Sequence, residues 1–124
     1  MNTHTQNLEA AIVVAGANIA PRITPQDVEA NIVSEWYFTA GDGAHGAQTA
    51  EHPGITSVYD SALDQLTFCV LVLRNGFTVT GESACASPEN FNREIGRRIA
   101  RENAIDKVWT LMGYELKSKL ASKS

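Results

Sequence analysis

The clearest pattern in the chain is an apolar segment, a tight-turn signal and a second, alternating segment. Residues 66–74 are mostly apolar and include several β-branched side chains, which is typical of a β-strand. Asn75-Gly76 follows, and this pair is preferred in two-residue type I′ turns because both positions need a positive φ. Residues 77–81 alternate and complete a predicted antiparallel hairpin.

A two-residue turn also determines which side chains of the hairpin share a face. Arg74 then lies opposite Phe77, and Val72 lies opposite Val79. Val70 lies opposite Gly81, and Phe68 joins the same face, which we predict to be the core. The other face carries Cys69, Leu71 and Leu73 beside Thr78 and Thr80. Since that face is also apolar, it needs cover from the N-terminal segment or from a second copy of the chain.

Two segments carry the signal of a helix N-terminus, a hydroxyl side chain followed by proline and then by a carboxylate. The first, residues 24–27, opens a predicted helix that ends near Phe38. The second, residues 87–89, opens the last predicted helix, which we expect Gly113 to end or bend. The side chains that we expect this last helix to place against the hairpin are Phe91, Ile95, Ile99 and Trp109.

The remaining segments give weaker patterns. Residues 8–20 are rich in alanine and small aliphatic side chains, which favours a short helix, with a strand through residues 12–14 as the alternative. Residues 55–59 alternate and predict a short strand. We expect the polar ends of the chain, residues 1–7 and 118–124, to be frayed.

Residues 41–54 predict a flexible loop, because they contain four glycines, a proline and many polar side chains. The segment also contains residue types that bind metal ions, namely Asp42, His45, Glu51 and His52. Their spacing matches no metal-binding motif, so we assign no metal and no cofactor to the chain. A lid or a contact loop is the alternative role for such a segment.

The composition places these elements in a single α+β domain. With 124 residues, of which 44% are hydrophobic and 19% charged, the chain is long enough to form a core without disulfides or metal ions. We predict a small antiparallel β-meander packed against an N-terminal helical region and a long C-terminal helix. No apolar run approaches the ~20 residues of a membrane span, so we expect no membrane association.

Charge is distributed unevenly along the chain. Residues 1–88 contain 2 basic and 9 acidic side chains, a net charge of −7, whereas residues 89–124 contain 8 basic and 5 acidic ones, a net charge of +3. The basic end suits an anion or an acidic partner. Packing of the two halves against each other is the simpler interpretation. The total charge of −4 makes nucleic acid an unfavoured partner.

Ser83 and Cys85 lie just before the predicted start of the last helix, where a thiol becomes more acidic and anions bind. A cysteine nucleophile also needs a base, and the histidines show no recognisable pairing with it. We therefore predict no catalytic residue and expect Cys85→Ala to leave function intact. The hairpin register places Cys85 opposite Leu66, on the face away from Cys69, so we also predict no disulfide.

Arg93, Arg97 and Arg101 recur every four residues and form one stripe on the last predicted helix. Guanidinium groups in such a row bind phosphate or carboxylate groups. Glu89 lies four residues before Arg93 and offers it an ordinary helical pair. Arg97 and Arg101 have no such partner on the helix. This arginine stripe, together with the hydroxyl and thiol that precede the helix, is the candidate site for an anion or an acidic partner.

One long string, from Asn75 to Phe91, combines the hairpin turn, the strand-to-helix junction and the helix start. It resembles a small bacteriophage and prophage family named after gene product 49 of one coliphage and gene 66 of a Shigella phage. The resemblance extends to Trp36-Tyr37-Phe38-Thr39-Ala40, Ile95-Gly96-Arg97, Asn103-Ala104 and Gly113-Tyr114. It covers most of residues 24–120.

The resemblance implies an accessory protein that a phage encodes and that is made in the cytoplasm of the bacterial host, and it supplies no catalytic residues. Our first hypothesis is a non-catalytic binding protein that modulates a host process by holding a host protein or a small anionic molecule. The alternatives are a small enzyme that uses Cys85 or a loop metal ion, and an oligomeric replication or assembly accessory. Because the second hairpin face needs cover, we favour a homodimer formed through Leu71 and Leu73.

Overall fold

The computed structural model describes residues 3–16 and 20–123, and within these residues the fold is α+β, as predicted. The elements are α1 (Thr3–Val14), α2 (Pro25–Ala30), β1 (Ile32–Thr39), α3 (Ala40–Glu51), β2 (Leu66–Leu73), β3 (Thr78–Ala84) and α4 (Arg93–Ser122). Short 3₁₀ turns precede β2 (Ser61–Gln65) and α4 (Pro88–Asn90). The helix predicted from residue 8 onward is confirmed as part of α1, and residues 17–19 lie outside the described part of the chain.

The chain divides into two compact units. Residues 1–31 and 108–124 form the terminal unit, and residues 32–107 form the sheet unit. The terminal unit contains α1, α2 and the second half of α4, and its buried side chains include Pro25, Val28 and Val108. The sheet unit contains the three strands, α3 and the first half of α4. It carries every candidate site residue named above.

The first predicted helix starts where expected and ends much earlier. Thr24 and Asp27 cap it reciprocally: Thr24 N–H donates to Asp27 Oδ2 at 2.9 Å, and Asp27 N–H donates to Thr24 Oγ1 at 3.1 Å. The helix ends at Ala30, and Ile32–Thr39 form β1 instead of continuing the helix to Phe38. This stretch is rich in β-branched and aromatic side chains, which pack better on a pleated sheet than on a helix.

The flexible loop predicted at residues 41–54 is wrong over most of its length, because Ala40–Glu51 form α3. A second capping box starts this helix. Asp42 N–H donates to Thr39 Oγ1 and Thr39 N–H donates to Asp42 Oδ2, both at 3.0 Å. This reciprocal cap and the alanines of the segment offset the conformational cost of its glycines.

The strand predicted at residues 55–59 is also wrong, since the segment belongs to no strand or helix. The backbone of Val58 forms hydrogen bonds with the side chain of Gln48 in α3 instead of with a neighbouring strand. Gln48 Oε1 accepts from Val58 N–H at 2.8 Å, and Gln48 Nε2 donates to Val58 O at 2.6 Å. Ser57 Oγ and His45 Nδ1 are hydrogen-bonded at 2.6 Å. These side-chain bonds hold the segment against α3.

The three strands form an antiparallel sheet in the order β1-β2-β3, with the hairpin at the predicted place. The turn differs from the predicted type. Within it only Gly76 has a positive φ, of 87°. Leu73 N–H donates to Phe77 O at 2.8 Å, so the loop has three residues instead of two. A left-handed glycine that closes a three-residue loop is the usual companion of a type I turn.

The extra loop residue shifts the register by one position, so the side chains of β2 change faces relative to those of β3. Val79 lies opposite Leu71 instead of opposite Val72. The face that we call the covered face carries buried residues of β2 and β3: Thr67, Cys69, Leu71, Leu73, Val79 and Gly81. The predicted core face is therefore wrong for β2, since Phe68, Val70 and Val72 lie on the other side, whereas Val79 and Gly81 of β3 lie on the covered face as predicted. Phe77, which shared the predicted core face, is 55% exposed. The predicted dimer contact is wrong as well, because the face it used is buried within the chain.

Within the sheet unit, α4 packs on the covered face through small residues. A Cβ atom added to Gly81 would lie 2.1 Å from Ala100 O and 2.3 Å from Ala104 N. Only residues without bulky side chains allow two backbones to approach so closely. The predicted core role of Ile95 and Ile99 is therefore wrong, and these side chains are 55% and 42% exposed. The other two predicted contacts, Phe91 and Trp109, are half-buried.

The limits of α4 also differ from those predicted. The helix begins at Arg93, and Asn92 caps it by accepting a hydrogen bond from Ile95 N–H at 3.1 Å. Gly113 was predicted to end or bend the helix, but α4 continues through it and does not end there. Residues 3–7 and 118–122, which we expected to be frayed, are helical. In the described part of the chain, no helix is long and apolar enough to cross a membrane.

Candidate functional site

The arginine stripe of α4 contacts β1 in two places. Arg101 Nε lies 2.7 Å from Glu35 Oε1, and Arg101 Nη2 lies 3.3 Å from Glu35 Oε2, so the pair is bidentate. The guanidinium carbon of Arg97 lies 5.6 Å from the centre of the Tyr37 ring, within the range of a cation–π contact. Arg93 is exposed in the first turn of the helix. Arg101, for which the helical spacing offered no partner, therefore has an ion-pair partner on β1.

Glu35 and Tyr37 complete a polar network with Arg101 in the sheet unit. Tyr37 Oη donates to Glu35 Oε1 at 2.8 Å. The hydrogen bond from Arg101 holds the pKa of Glu35 below its usual range, and the bond from Tyr37 acts in the same direction. Burial raises the pKa of Tyr37 well above its ordinary value, and its bond to Glu35 raises it further. Glu35 is therefore held ionised and Tyr37 held neutral, which suits a structural contact.

The two residues that precede the helix have contacts of their own. Ser83 lies opposite Thr67 in the β2-β3 ladder. Cys85 is half-buried, and its Sγ donates to Ser87 O at 3.1 Å. Its backbone N–H donates to Gln65 O, one position away from the predicted pairing with Leu66. Both cysteines are free thiols, as predicted.

Two residues of α3 whose side chains can bind metal ions form hydrogen bonds within the chain instead. Asp42 caps the helix, and His45 hydrogen-bonds Ser57. Across the described residues, no three His, Cys, Asp or Glu side chains come together in a group that could hold a metal ion.

The feature that sequence reasoning missed is the side of the sheet opposite α4, which we call the outer face. Its strand residues are Ser34, Trp36, Phe38, Leu66, Phe68, Val70, Val72, Thr78, Thr80, Glu82 and Ala84. Trp36 is 61% exposed and Phe38 is 38% exposed. The rings of Phe38 and Phe68 lie 5.8 Å apart, and Trp36 Nε1 donates to Ser34 Oγ at 3.1 Å. Glu82 is the only charged residue among these strand positions.

The signal for this face was present in the sequence but was assigned to other structures. The aromatic cluster Trp36-Tyr37-Phe38 was assigned to a helix, and Phe68, Val70 and Val72 were assigned to the core. Read as a strand, residues 34–38 alternate between the outer face and the side that Glu35 and Tyr37 share with α4.

Comparison with known proteins gives one match. The model of a family described as "Phage protein (N4 Gp49/phage Sf6 gene 66) family" matches residues 23–120. The match spans the whole sheet unit and most of α4, and it confirms the family resemblance seen in the sequence. No curated protein and no solved structure matches the chain.

Proposed function

We propose that this chain, which belongs to the phage protein family of N4 Gp49 and phage Sf6 gene 66, acts by binding a host protein rather than by catalysis. The binding surface in this proposal is the outer face of the sheet. The partner is a protein of the infected bacterium, which the chain meets in the host cytoplasm. Binding then changes a host process in favour of the phage.

One observation carries this proposal: the outer face combines exposed aromatic side chains with an almost complete lack of charge. Trp36 and Phe38 are exposed on an edge strand, and Val70 lies half-buried beside Trp36 on the central strand. Contiguous exposed apolar patches of this kind commonly mark interaction sites. Aromatic residues are enriched at protein interfaces, where tryptophan is a frequent energetic hot spot.

The arginine stripe gives weaker support to the alternative, a small anionic ligand. A free anion would have to compete with the Glu35 carboxylate for Arg101. It would also have to draw Arg97 from the face of the Tyr37 ring. These contacts support a role for the stripe in fastening α4 to β1, and they leave the outer face as the better candidate for binding.

Affinity capture from host lysate tests the proposal with a matched pair of variants. Val70→Lys places a charge at the centre of the outer face, and Ile95→Lys places the same charge at an exposed apolar position of α4. Because an unpaired charge is costly inside an interface, Val70→Lys should reduce capture of a specific host protein by at least about tenfold. Ile95→Lys should capture it like the unchanged chain. Equal capture by both variants, or no specific capture by the unchanged chain, contradicts the proposal.

A further inference from the structure

The two edge strands of the sheet differ in the hydrogen bonds that their outer backbone groups make. At the β3 edge, the side chain of Asn103 in α4 donates from Nδ2 to Glu82 O at 2.8 Å. At the β1 edge, no strand from the described part of the chain pairs with the backbone, since the sheet order is β1-β2-β3. An unpaired edge presents a row of N–H and C=O groups that another extended strand can bind.

The hydrogen bonds of β2 show which β1 groups point outward. Leu73 bonds Phe77 and Gln65 bonds Cys85, so the odd-numbered residues of β2 direct their backbone groups to β3. Since backbone groups alternate sides along an antiparallel strand, the even-numbered ones face β1. Their partners in β1 are Ser34, Trp36 and Phe38, which leaves the backbone groups of Glu35 and Tyr37 directed at the open edge.

We propose that a second copy of this chain binds this edge, with β1 antiparallel to β1 of the partner copy about a two-fold axis. An antiparallel strand pair is self-complementary, so the same groups of Glu35 and Tyr37 serve both copies. The edge also carries little charge, because Glu35 is the only charged residue of β1 and is already paired with Arg101. The proposal is independent of the proposed function.

The register follows from the same contacts. Centring the pair on Glu35 would place two carboxylates directly opposite each other, which is unfavourable. Centring it on Tyr37 would pair Glu35 of one copy with Thr39 of the other. The N–H of Thr39 would then have to donate to the partner copy, but it already donates to Asp42. Centring it on Trp36 places Glu35 of one copy opposite Tyr37 of the other and avoids both costs. The bulge between Ile32 and Ser34 limits the pairing to the remainder of β1.

This arrangement makes one continuous sheet with the two outer faces on the same side. The two Trp36 residues then face each other at the axis as a non-hydrogen-bonded pair. In such pairs the Cα atoms are about 4.5 Å apart, a separation that a disulfide spans. The proposed function and the proposed dimer would then share one enlarged outer face.

Cysteine cross-linking tests both the dimer and its register, in a chain whose half-buried Cys85 is replaced by serine. Trp36→Cys should give a disulfide-linked dimer under mild oxidation. Ser34→Cys alone and Phe38→Cys alone should remain uncross-linked, whereas an equal mixture of the two should cross-link, because these positions face each other across the axis. Cross-linking of Ser34→Cys alone, or its absence with Trp36→Cys, overturns the register.

Light scattering of the unchanged chain at micromolar concentration tests the dimer without any substitution. The expected mass is twice the 13.4 kDa of one chain, and a mass of 13.4 kDa overturns the proposal. Trp36→Lys should dissociate the dimer, since two like charges would meet at the axis. Thr80→Lys, which lies on the same face at the opposite edge, should not. Loss of the dimer only in Thr80→Lys would show a face-to-face contact and contradict edge pairing.

Discussion

The covered face and the outer face belong to the same three strands, yet they differ in side-chain size and exposure. On the covered face, Leu71 and Cys69 are fully buried and Gly81 allows α4 to approach within backbone contact. On the outer face, Trp36 and Phe38 remain exposed. Both faces are apolar, so hydrophobicity alone does not distinguish them. The difference indicates that the covered face supports stability, whereas the outer face leaves its aromatic side chains exposed to solvent.

The largest effect should come from Leu71→Ala on the covered face. Leu71 is 0% exposed, so the substitution leaves a cavity and should lower the free energy of unfolding by about 3 kcal/mol. Val70→Ala is the matched control on the outer face, where the side chain is half-buried and the loss should be less than about 1.5 kcal/mol. Denaturant unfolding measures both. Equal losses would contradict the assignment of the faces.

Gly81→Ala should be the next most destabilising change. The added Cβ would meet backbone atoms of Ala100 and Ala104, which cannot move without shifting α4, so we expect a loss of about 2–3 kcal/mol. Gly113→Ala is the control, because nothing lies within 4 Å of its added Cβ. Removing a glycine from a helix interior should stabilise the chain by about 0.5–1 kcal/mol. Thermal or denaturant unfolding that shows no loss for Gly81→Ala would exclude the close contact.

Glu35→Gln should have a moderate, pH-dependent effect of about 1 kcal/mol at neutral pH, as expected for a partly exposed ion pair. The pKa of Glu35 is lowered in the folded state. Its contribution is therefore fully present above the ordinary glutamate pKa of about 4.3 and is lost as the pH falls below it. The difference in unfolding free energy between the unchanged chain and the variant should shrink between neutral and acidic pH. A difference that stays constant with pH would mean that ionised Glu35 does not stabilise the fold.

Thr67→Val should stabilise the chain slightly. The side-chain oxygen of Thr67 is buried on the covered face without a hydrogen-bond partner in the described structure, and valine has nearly the same shape. Removing the unsatisfied hydroxyl should add about 1 kcal/mol to the free energy of unfolding. Thr80→Val on the exposed outer face is the control and should change it by less than about 0.5 kcal/mol. Destabilisation by Thr67→Val would show that the hydroxyl has a partner.

The smallest effect should come from Ile95→Ala. The sequence pattern placed Ile95 in the core, but it is 55% exposed on α4. We expect the free energy of unfolding to change by less than about 0.5 kcal/mol. A loss of 2 kcal/mol or more, as in a core substitution, would mean that α4 turns Ile95 toward the sheet.

Local chemistry predicted the start of α2 and the position of the hairpin, but not the end of that helix or the register of the strands. Thr24 and Asp27 predicted the start of α2 correctly, because a capping box depends only on residues three positions apart. Nothing so local marked the end of that helix at Ala30, where the strand preference of β1 takes over. Asn75-Gly76 located the hairpin correctly, yet the turn type shifted the register by one residue. Because side chains alternate along a strand, that single shift put the side chains of β2 on the opposite face from the one predicted, while Val79 of β3 kept its predicted face.

The candidate site could be predicted in part. The arginine stripe follows from helical spacing, and the structure does place Arg93, Arg97 and Arg101 on one helix. The partner of Arg101 could not be predicted, because Glu35 lies 66 residues away and meets it only through the tertiary fold. Predicting the outer face required the correct register of the hairpin and the recognition of β1 as a strand. Both follow from packing in three dimensions and not from neighbouring residues.

The central claim is that the outer face binds a host protein, and a dissociation constant tests it most directly. Once the captured host protein is purified, its affinity can be measured for the unchanged chain, for Val70→Lys and for Ile95→Lys. We expect the dissociation constant to rise by at least about tenfold for Val70→Lys, which corresponds to about 1.4 kcal/mol, and to stay the same for Ile95→Lys. An unchanged dissociation constant for Val70→Lys, or an equal rise for both variants, would contradict the claim.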